Sequence, residues 1–319
     1  MHKEIRDMTE RMDNFMQIIG RTICLIFISL DFFDVENVYG EDLTSTSGDT
    51  WVETETTGHR TLFQWSMGSE PEEEPSDEDE PLATDRPDFT EASSTVGLGV
   101  LQIEMGYTFS QDKDTGGRVR NHSFGEPLFR YGILDDWLEV RLAVFPVSED
   151  STTTGIRRKT TGVEDIYVGL KLGLTEQRGW LPEMALVPQM TVPSGSNQFS
   201  NNETLAGVNW LYGWDISDDL STAGSTQFNR TLDDTGEAYV EFAQSWTISY
   251  GLTEQLSAFT EWFAFFPNGA DTVRVEHYFD GGLTFLLTNN VQWDVRAGIG
   301  LNDAADDFFV GTGLSIRFQ

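Results

Sequence analysis

Acidic and basic residues alternate with apolar residues in several segments of this chain. In the clearest segment, Glu139 and Arg141 stand between Leu138, Val140 and Leu142. Side chains alternate between the two faces of a β-strand, so this spacing predicts one ionic face and one apolar face. Charges of both signs on one face can neutralise each other in ion pairs, or they can line a passage that selects solutes by charge. The interleaved signs favour the self-neutralising network.

The four histidines do not have the spacing of a catalytic or metal site. They are His2, His59, His122 and His277, and none lies in a metal-spaced pair or a Gly-flanked nucleophile motif. His122 and His277 fall near predicted strand ends, where a hydrolase built on a barrel could carry a catalytic pair. Neither has an evident partner, so a barrel hydrolase is a minor alternative. We therefore expect no enzyme activity, no catalytic residue, no metal site and no cofactor.

A repeated short phrase predicts where the chain turns. Its copies read YGILDD at 131–136, LGLTEQ at 172–177, YGLTEQ at 250–255 and FLLTNN at 285–290, with a looser copy at 212–219. They lie roughly 35 to 42 residues apart, and strand-like alternation flanks each of them. Each copy therefore predicts the tight turn of a β-hairpin.

The strands and turns together predict an all-β fold, a transmembrane antiparallel up-and-down β-barrel of about 12 strands. Several strands reach the roughly nine to eleven residues that a tilted strand needs to cross a bilayer. Short turns alternate with longer polar connections such as Gln111–Asn121 and Ser148–Thr161, and outer-membrane barrels carry their short turns on the periplasmic side. The apolar faces are expected to contact lipid. Aromatic residues near strand ends fit interfacial girdles: Tyr107, Phe109, Trp137, Tyr212, Trp214, Tyr250, Trp262 and Phe266.

The ionic faces of this barrel are expected to line its lumen. The candidates for lining it are Glu104, Glu126, Arg130, Glu139, Arg141, Asp165, Lys171, Asp294, Arg296 and Arg317. In the hairpin that turns after Leu134, Arg130 falls opposite Arg141, with Glu139 diagonal to it, so these side chains can pair. A barrel of about 12 strands is intermediate between side-chain-filled and open barrels, so we expect a narrow or plugged passage.

The phrase TDRPDFTE, at 84–91, precedes the first predicted strand. Its residues Asp85, Arg86, Pro87, Asp88 and Phe89 could fold into the lumen as a plug or gate. They could equally form a rigid strap on the periplasmic rim, because proline fixes the local backbone in either place. The sequence leaves both possibilities open.

This phrase, the Tyr-Gly-Leu-Thr type of turn and the alternating last strand together resemble the bacterial outer-membrane β-barrel family named for transport in the meta-pathway of phenol degradation. The resemblance covers roughly residues 84–319. It implies a barrel in the bacterial outer membrane and the passage of small aromatic or apolar molecules. Barrels of this type usually end on an aromatic residue that the barrel assembly machinery recognises, whereas here Gln319 follows Phe318.

The N-terminal part differs in composition from the rest. Residues 1–40 read as a secretory leader around the apolar stretch Thr22–Leu30, which holds the single cysteine, Cys24. Residues 41–93 read as a disordered acidic periplasmic linker that ends in TDRPDFTE, and residues 94–319 as the barrel. The net charge of -33 excludes nucleic acid as a partner, because phosphate contacts need Lys and Arg.

The sequence therefore predicts an outer-membrane channel or transporter for the passive uptake of small, aromatic or hydrophobic solutes. Its expected partners are outer-membrane lipid, the barrel assembly machinery and a solute that the sequence does not identify. The first alternative is a structural or adhesive barrel without transport. A secreted β-propeller is a weaker one, because its blades need four strands with a buried apolar face.

Overall fold

The computed structural model describes residues 60–67, 81–113 and 116–319. The predicted leader, Cys24, His2, His59 and most of the predicted acidic linker lie outside these ranges. The described residues form one short helix, α1 (Leu62–Ser66), and the strands β1 (Leu101–Lys113), β2 (Gly117–Gly132), β3 (Leu138–Ala143), β4 (Pro146–Thr153), β5 (Ile156–Val163), β6 (Ile166–Thr175), β7 (Glu183–Val192), β8 (Leu205–Ser217), β9 (Leu220–Leu232), β10 (Ala238–Gly251), β11 (Leu256–Asn268), β12 (Glu276–Thr288), β13 (Val291–Gly300) and β14 (Phe308–Phe318). No helix in the described ranges is long and apolar enough to cross a membrane.

The strands form a closed barrel. Each strand pairs antiparallel with its neighbours, and β1 pairs with both β2 and β14, which closes the sheet. Strands β4 and β3 pair with the first and second halves of β2, so together they form one interrupted wall strand. Strands β5 and β6 pair with β4 and β3 in the same way and form a second interrupted wall strand. The barrel therefore has 12 wall strands. The predicted fold class is confirmed, and the β-propeller alternative is wrong because a propeller would need separate four-stranded blades.

The two faces of the wall have opposite chemistry. Leu170, Trp210 and Leu283 are among the exposed large apolar side chains, whereas Arg141 and Lys171 are fully buried. A water-soluble sheet would show the reverse pattern, because burial of charges costs free energy and burial of apolar surface gains it. A barrel that exposes apolar residues and encloses polar ones is the arrangement of a transmembrane β-barrel.

Two wall sections extend further than the sequence predicts. The connections predicted at Gln111–Asn121 and Ser148–Thr161 are wrong, because β1, β2, β4 and β5 continue through most of these residues. The extensions carry polar residues on both faces, so they show no apolar alternation. Paired backbone groups nevertheless continue the sheet, because ladder hydrogen bonds do not depend on side-chain polarity. The first strand begins at Leu101, whereas the sequence predicts that the barrel begins at residue 94.

The helix α1 lies at the short-turn end of the barrel. Thr61 caps it, because its hydroxyl accepts a hydrogen bond from the Gln64 amide while the Gln64 side chain accepts one from the Thr61 amide. Trp65 packs against Trp137, with 5.5 Å between ring centroids. Arg60 pairs with Asp135 at 3.3 Å. The segment is therefore attached to the turn that follows β2.

Candidate functional site

Residues 81–100, here called the inner segment, run inside the barrel. The segment begins at the short-turn end, where the Leu82 amide donates to the Asn289 carbonyl at 2.8 Å. It returns to the same end, where the Thr95 hydroxyl donates to the Asp136 carbonyl at 2.6 Å and the Val96 amide donates to the Glu139 carboxylate at 3.1 Å. Because short turns of outer-membrane barrels are periplasmic, the segment enters and leaves the lumen from the periplasm.

Asp85 binds a group of cations from three different strands. Its carboxylate lies 2.6 Å from Arg141 Nη2, 2.9 Å from Lys171 Nζ and 3.4 Å from Arg130 Nε. Asp85 belongs to the inner segment and does not span the membrane. Burial alone would raise the pKa of Asp85, but the charges of Arg130, Arg141 and Lys171 hold that pKa well below its ordinary value. The carboxylate is therefore ionised and joins the segment to the wall.

Carboxylates of the wall complete this ionic network. Arg130 donates to Glu139 at 2.8 Å and to Glu104 at 3.1 Å, and Glu104 also accepts the Asp85 amide at 3.0 Å. Arg141 pairs in addition with Glu91 of the inner segment at 2.6 Å. Burial of several charges is tolerated here because each charge has an opposite partner at hydrogen-bond distance.

Arg86 lies flat against the barrel wall beside this network. Its guanidinium is 2.7 Å from Glu126 and 3.3 Å from Asp294. A Cβ atom on Gly106 or Gly313 would overlap the guanidinium, so the close approach requires glycine at both positions. Pro87 follows through a cis peptide bond.

The next residues of the inner segment bind a different part of the wall. The Glu261 carboxylate on β11 accepts the Phe89 amide at 2.6 Å, the Thr90 amide at 2.8 Å and the Thr90 hydroxyl at 2.5 Å. The Thr90 hydroxyl also lies 2.6 Å from the Ser245 hydroxyl. This half of the segment is therefore held by neutral donors that share one buried carboxylate.

Asp88 faces two further carboxyl groups. Burial, followed by the nearby charges of Glu261 and Asp280, raises the pKa of Asp88 well above its ordinary value. Neither carboxyl oxygen of Asp280 accepts a hydrogen bond from a described N–H or hydroxyl group. Asp88 therefore lies in a setting that favours its protonated form, unlike Asp85.

An aromatic group lies in the lumen next to Asp88. Phe89 stacks on Phe263 with 4.8 Å between centroids, and Phe263 stacks on Tyr278 at the same distance. Phe265 meets Phe89 edge-on at 5.3 Å, and Phe309 lies buried in the same cluster. Stacked and edge-on rings stabilise one another beyond the area they bury.

The wall formed by β7 to β10 carries no charge at its most buried positions. Ala185, Val187, Leu211 and Ala243 are fully buried and apolar. Asn209 is also fully buried, and its amide has no hydrogen-bond partner among the described residues. One side of the lumen is therefore ionic, whereas the most buried positions of the opposite side are uncharged and include polar residues such as Ser225 and Ser245.

The structure brings together most of the ten predicted lumen residues but not all of them. Glu104, Glu126, Arg130, Glu139, Arg141, Lys171 and Asp294 pair with the inner segment or with each other. Arg296 lies 5.2 Å from the Phe309 ring. Asp165 instead accepts the amides of Ser194 and Gly195 in the loop after β7, both at 3.0 Å. Arg317 donates to Asn290 at 2.7 Å on the periplasmic rim.

Two residues of this site, Glu261 and Asp280, are missing from the prediction. Glu261 lies between Phe259 and Phe263 on the inward face, while Trp262 lies on the outward face of the same strand. Because both faces of β11 are aromatic, the strand shows no alternation from which an inward carboxylate could be read. Among the described residues no group of three His, Cys, Asp or Glu is arranged to hold a metal ion.

A family model described as "Putative MetA-pathway of phenol degradation" matches residues 84–318. The chain belongs to this family. The match begins at Thr84, inside the inner segment, so the phenol-degradation family pattern includes the lumenal residues as well as the strands. None of the curated protein sequences matches the chain.

Solved structures of outer-membrane barrels resemble this member of the phenol-degradation family. The COG4313 outer membrane channel from Pseudomonas putida F1 has 13% sequence identity and a TM-score of 0.57, and the match covers 73% of this chain and 99% of that one. The translocator domain of the autotransporter NalP from Neisseria meningitidis has 11% identity and a TM-score of 0.49, with 70% and 89% covered. The first match shows a shared fold. Together with the apolar outer band, it identifies a β-barrel of the bacterial outer membrane.

Proposed function

We propose that this barrel is a passive outer-membrane channel for small aromatic or apolar solutes, and that the inner segment restricts its passage. The observation that carries the proposal is the aromatic group inside the lumen, formed by Phe89, Phe263, Phe265, Tyr278 and Phe309. Aromatic rings enclosed by a barrel bind apolar solutes, because such contacts remove apolar surface from water and add ring stacking.

The charge distribution of the lumen supports the same class of solute. The cations Arg130, Arg141 and Lys171 all have carboxylate partners, so they do not offer an unpaired charge to an ionic solute. The most buried positions of the β7 to β10 wall, on the other side of the lumen, carry no charge. A passage between these walls would favour uncharged molecules with apolar surface.

Liposome swelling with matched solutes tests the proposal. Phenyl glucoside and a disaccharide of similar size both cross lipid slowly, so entry through the barrel can be compared directly. We expect wild-type protein to admit phenyl glucoside faster than the disaccharide. We expect Phe263→Ala to lower this preference roughly threefold to tenfold, because a stacked ring pair contributes about 0.5–1.5 kcal/mol.

The control for this experiment is Phe228→Ala, because the Phe228 ring is exposed on the outer face of the barrel. It should keep the wild-type preference. Equal entry of the two solutes in wild-type protein, or the same loss of preference in both variants, would contradict an aromatic solute class.

A structural barrel without transport is the second candidate, and the ionic network favours it. Asp85, Glu91 and Arg86 all fix the inner segment to the lumen wall. Single-channel recording on wild-type protein and on Asp85→Asn separates the two candidates. Folded barrels that conduct in neither form would support the structural role, whereas conductance that increases in the variant supports a restricted channel.

A further inference from the structure

Basic residues collect on one part of the outer surface of this otherwise acidic chain. The chain has 20 Lys and Arg against 53 Asp and Glu. Five of the basic residues lie on the extended ends of strands β1, β2 and β5, with β4 between β2 and β5. They are Lys113, Arg118, Arg120, Arg157 and Lys159. These five residues are called the basic patch below.

Strand register puts the patch on one face. Lys113 pairs with Arg118 across β1 and β2, and Arg118 pairs with Thr152 of β4, which in turn pairs with Arg157 of β5. In the next such row, Arg120 pairs with Asp150 and Asp150 with Lys159. Residues directly opposite each other in a sheet project from the same face, so the five cations share one surface.

This surface is the outward one. Along β1 the same face carries Met105, which is exposed to the outside of the barrel, then Tyr107, Phe109 and finally Lys113. His122 of β2 stands beside both aromatic residues, with its Nδ1 2.8 Å from the Tyr107 hydroxyl. The order along the wall is therefore hydrocarbon band, aromatic girdle and basic patch. Girdle residues mark the membrane interface, so the patch lies at the level of lipid headgroups.

The charges of the patch are not balanced within its own strands. Asp150 is the one carboxylate among the described outward-facing residues of β1, β2, β4 and β5. Arg157 binds it through Nε at 2.8 Å, and Arg120 and Lys159 are close enough to act on its charge. Arg157 keeps 70% of its side chain exposed, so donors remain free to bind an anion.

From this placement we propose that the basic patch binds the phosphate groups of lipid headgroups in the outer leaflet of the membrane. The periplasmic position of the short turns puts the opposite, extended end of the barrel at the outer leaflet. Arg binds phosphate through paired N–H donors, and Lys and Arg near a membrane surface are attracted to anionic lipid. The proposal does not depend on the transport of any solute.

Native mass spectrometry of the full chain in detergent tests the binding. The probes are bisphosphorylated lipid A and its fully dephosphorylated form, with inorganic phosphate as a competitor. We expect wild-type protein to retain the phosphorylated lipid and lose it as salt concentration rises. The variant Arg118→Gln/Arg120→Gln/Lys159→Gln should bind it roughly 100-fold more weakly.

The matched control removes the same charge from the same end of the barrel. Its substitutions are Arg158→Gln, Arg230→Gln and Arg274→Gln; Arg158 alternates to the other face of β5, and the other two lie on β9 and before β12. Heat-modifiable migration on a denaturing gel shows that both variants fold. The control should retain the lipid as the wild type does.

Three outcomes would overturn the proposal. The first is an equal loss of lipid in the patch variant and the control, which would indicate a general effect of net charge. The second is equal retention of the dephosphorylated lipid. The third is complete displacement by millimolar inorganic phosphate, which would indicate a site for the free anion rather than for a lipid headgroup.

Discussion

The two halves of the inner segment lie against walls of opposite charge. Asp85 lies among Arg130, Arg141 and Lys171 of β2, β3 and β6, whereas Asp88 lies near Glu261 and Asp280 of β11 and β12. The first half is held by ion pairs, and the second by N–H and O–H donors and by ring stacking. One short segment therefore needs one of its aspartates ionised and the other protonated.

The two aspartates give the segment opposite dependences on pH. The pKa of Asp85 is lowered, so its contribution is present above the ordinary pKa of Asp and is lost as pH falls through the lowered value. The pKa of Asp88 is raised, so its contribution is present below the ordinary pKa and is lost as pH rises through the raised value. The comparison predicts that low pH weakens the attachment of the first half, at Asp85. High pH weakens the attachment of the second half, at Asp88.

The largest expected effect comes from Asp85→Asn. The substitution leaves Arg141 and Lys171 buried beside a neutral amide, and the loss of one partner of a buried ion pair costs about 3–5 kcal/mol. We expect residues 84–92 to lose protection in hydrogen exchange, while the β-strands keep theirs. Exchange followed by mass spectrometry measures both in one sample.

Asp150→Asn is the control for this change, since it removes an ion pair at the exposed end of β4. It should leave the exchange of residues 84–92 unchanged. If Asp85→Asn also left that exchange unchanged, the ionic network would not be what holds the first half of the segment.

A medium effect is expected from Gly313→Ala. The added Cβ overlaps the Arg86 guanidinium, and overpacking of this kind costs about 1–3 kcal/mol. The first half of the segment should exchange faster than in wild-type protein. Gly173→Ala is the matched control, because the nearest atom to its Cβ is at 3.6 Å, an ordinary contact. Equal exchange in the two variants would show that Arg86 can leave the wall without cost.

The smallest effect is expected from Asp88→Asn. We expect it as a change in how the hydrogen-exchange protection of residues 88–90 depends on pH. In wild-type protein, protection of residues 88–90 should fall as pH rises, because deprotonation of Asp88 puts a negative charge beside the carboxyl groups of Glu261 and Asp280. The asparagine variant carries no titrating group at this position. Its protection should therefore depend less on pH, after correction for the intrinsic exchange rate. If protection of residues 88–90 depended on pH equally in both proteins, the proposed difference between the two halves would be contradicted.

Sequence reasoning predicts the barrel well because its signal is local. The alternation around Glu139 and Arg141 fixes which face of β3 is apolar, and the same period recurs along most of the other strands. The register between β2 and β3 also follows from the turn, and the structure pairs Arg130 with Arg141 as predicted. These features depend on neighbouring residues, so one sequence contains them.

The candidate site is less predictable because its contacts are distant in sequence. Lys171 and Asp85 are separated by 86 positions, and Arg86 and Asp294 by 208. No local pattern joins such residues. The inward position of Glu261 is masked by aromatic residues on both faces of its strand.

The sequence by itself determined a closed antiparallel barrel with an apolar outside and an ionic inside, because a two-residue period sets the face of every strand. Only the tertiary structure decided between a lumenal and a rim position for residues 84–91. Their place inside the lumen depends on cations from three strands, which come together only when the barrel has closed.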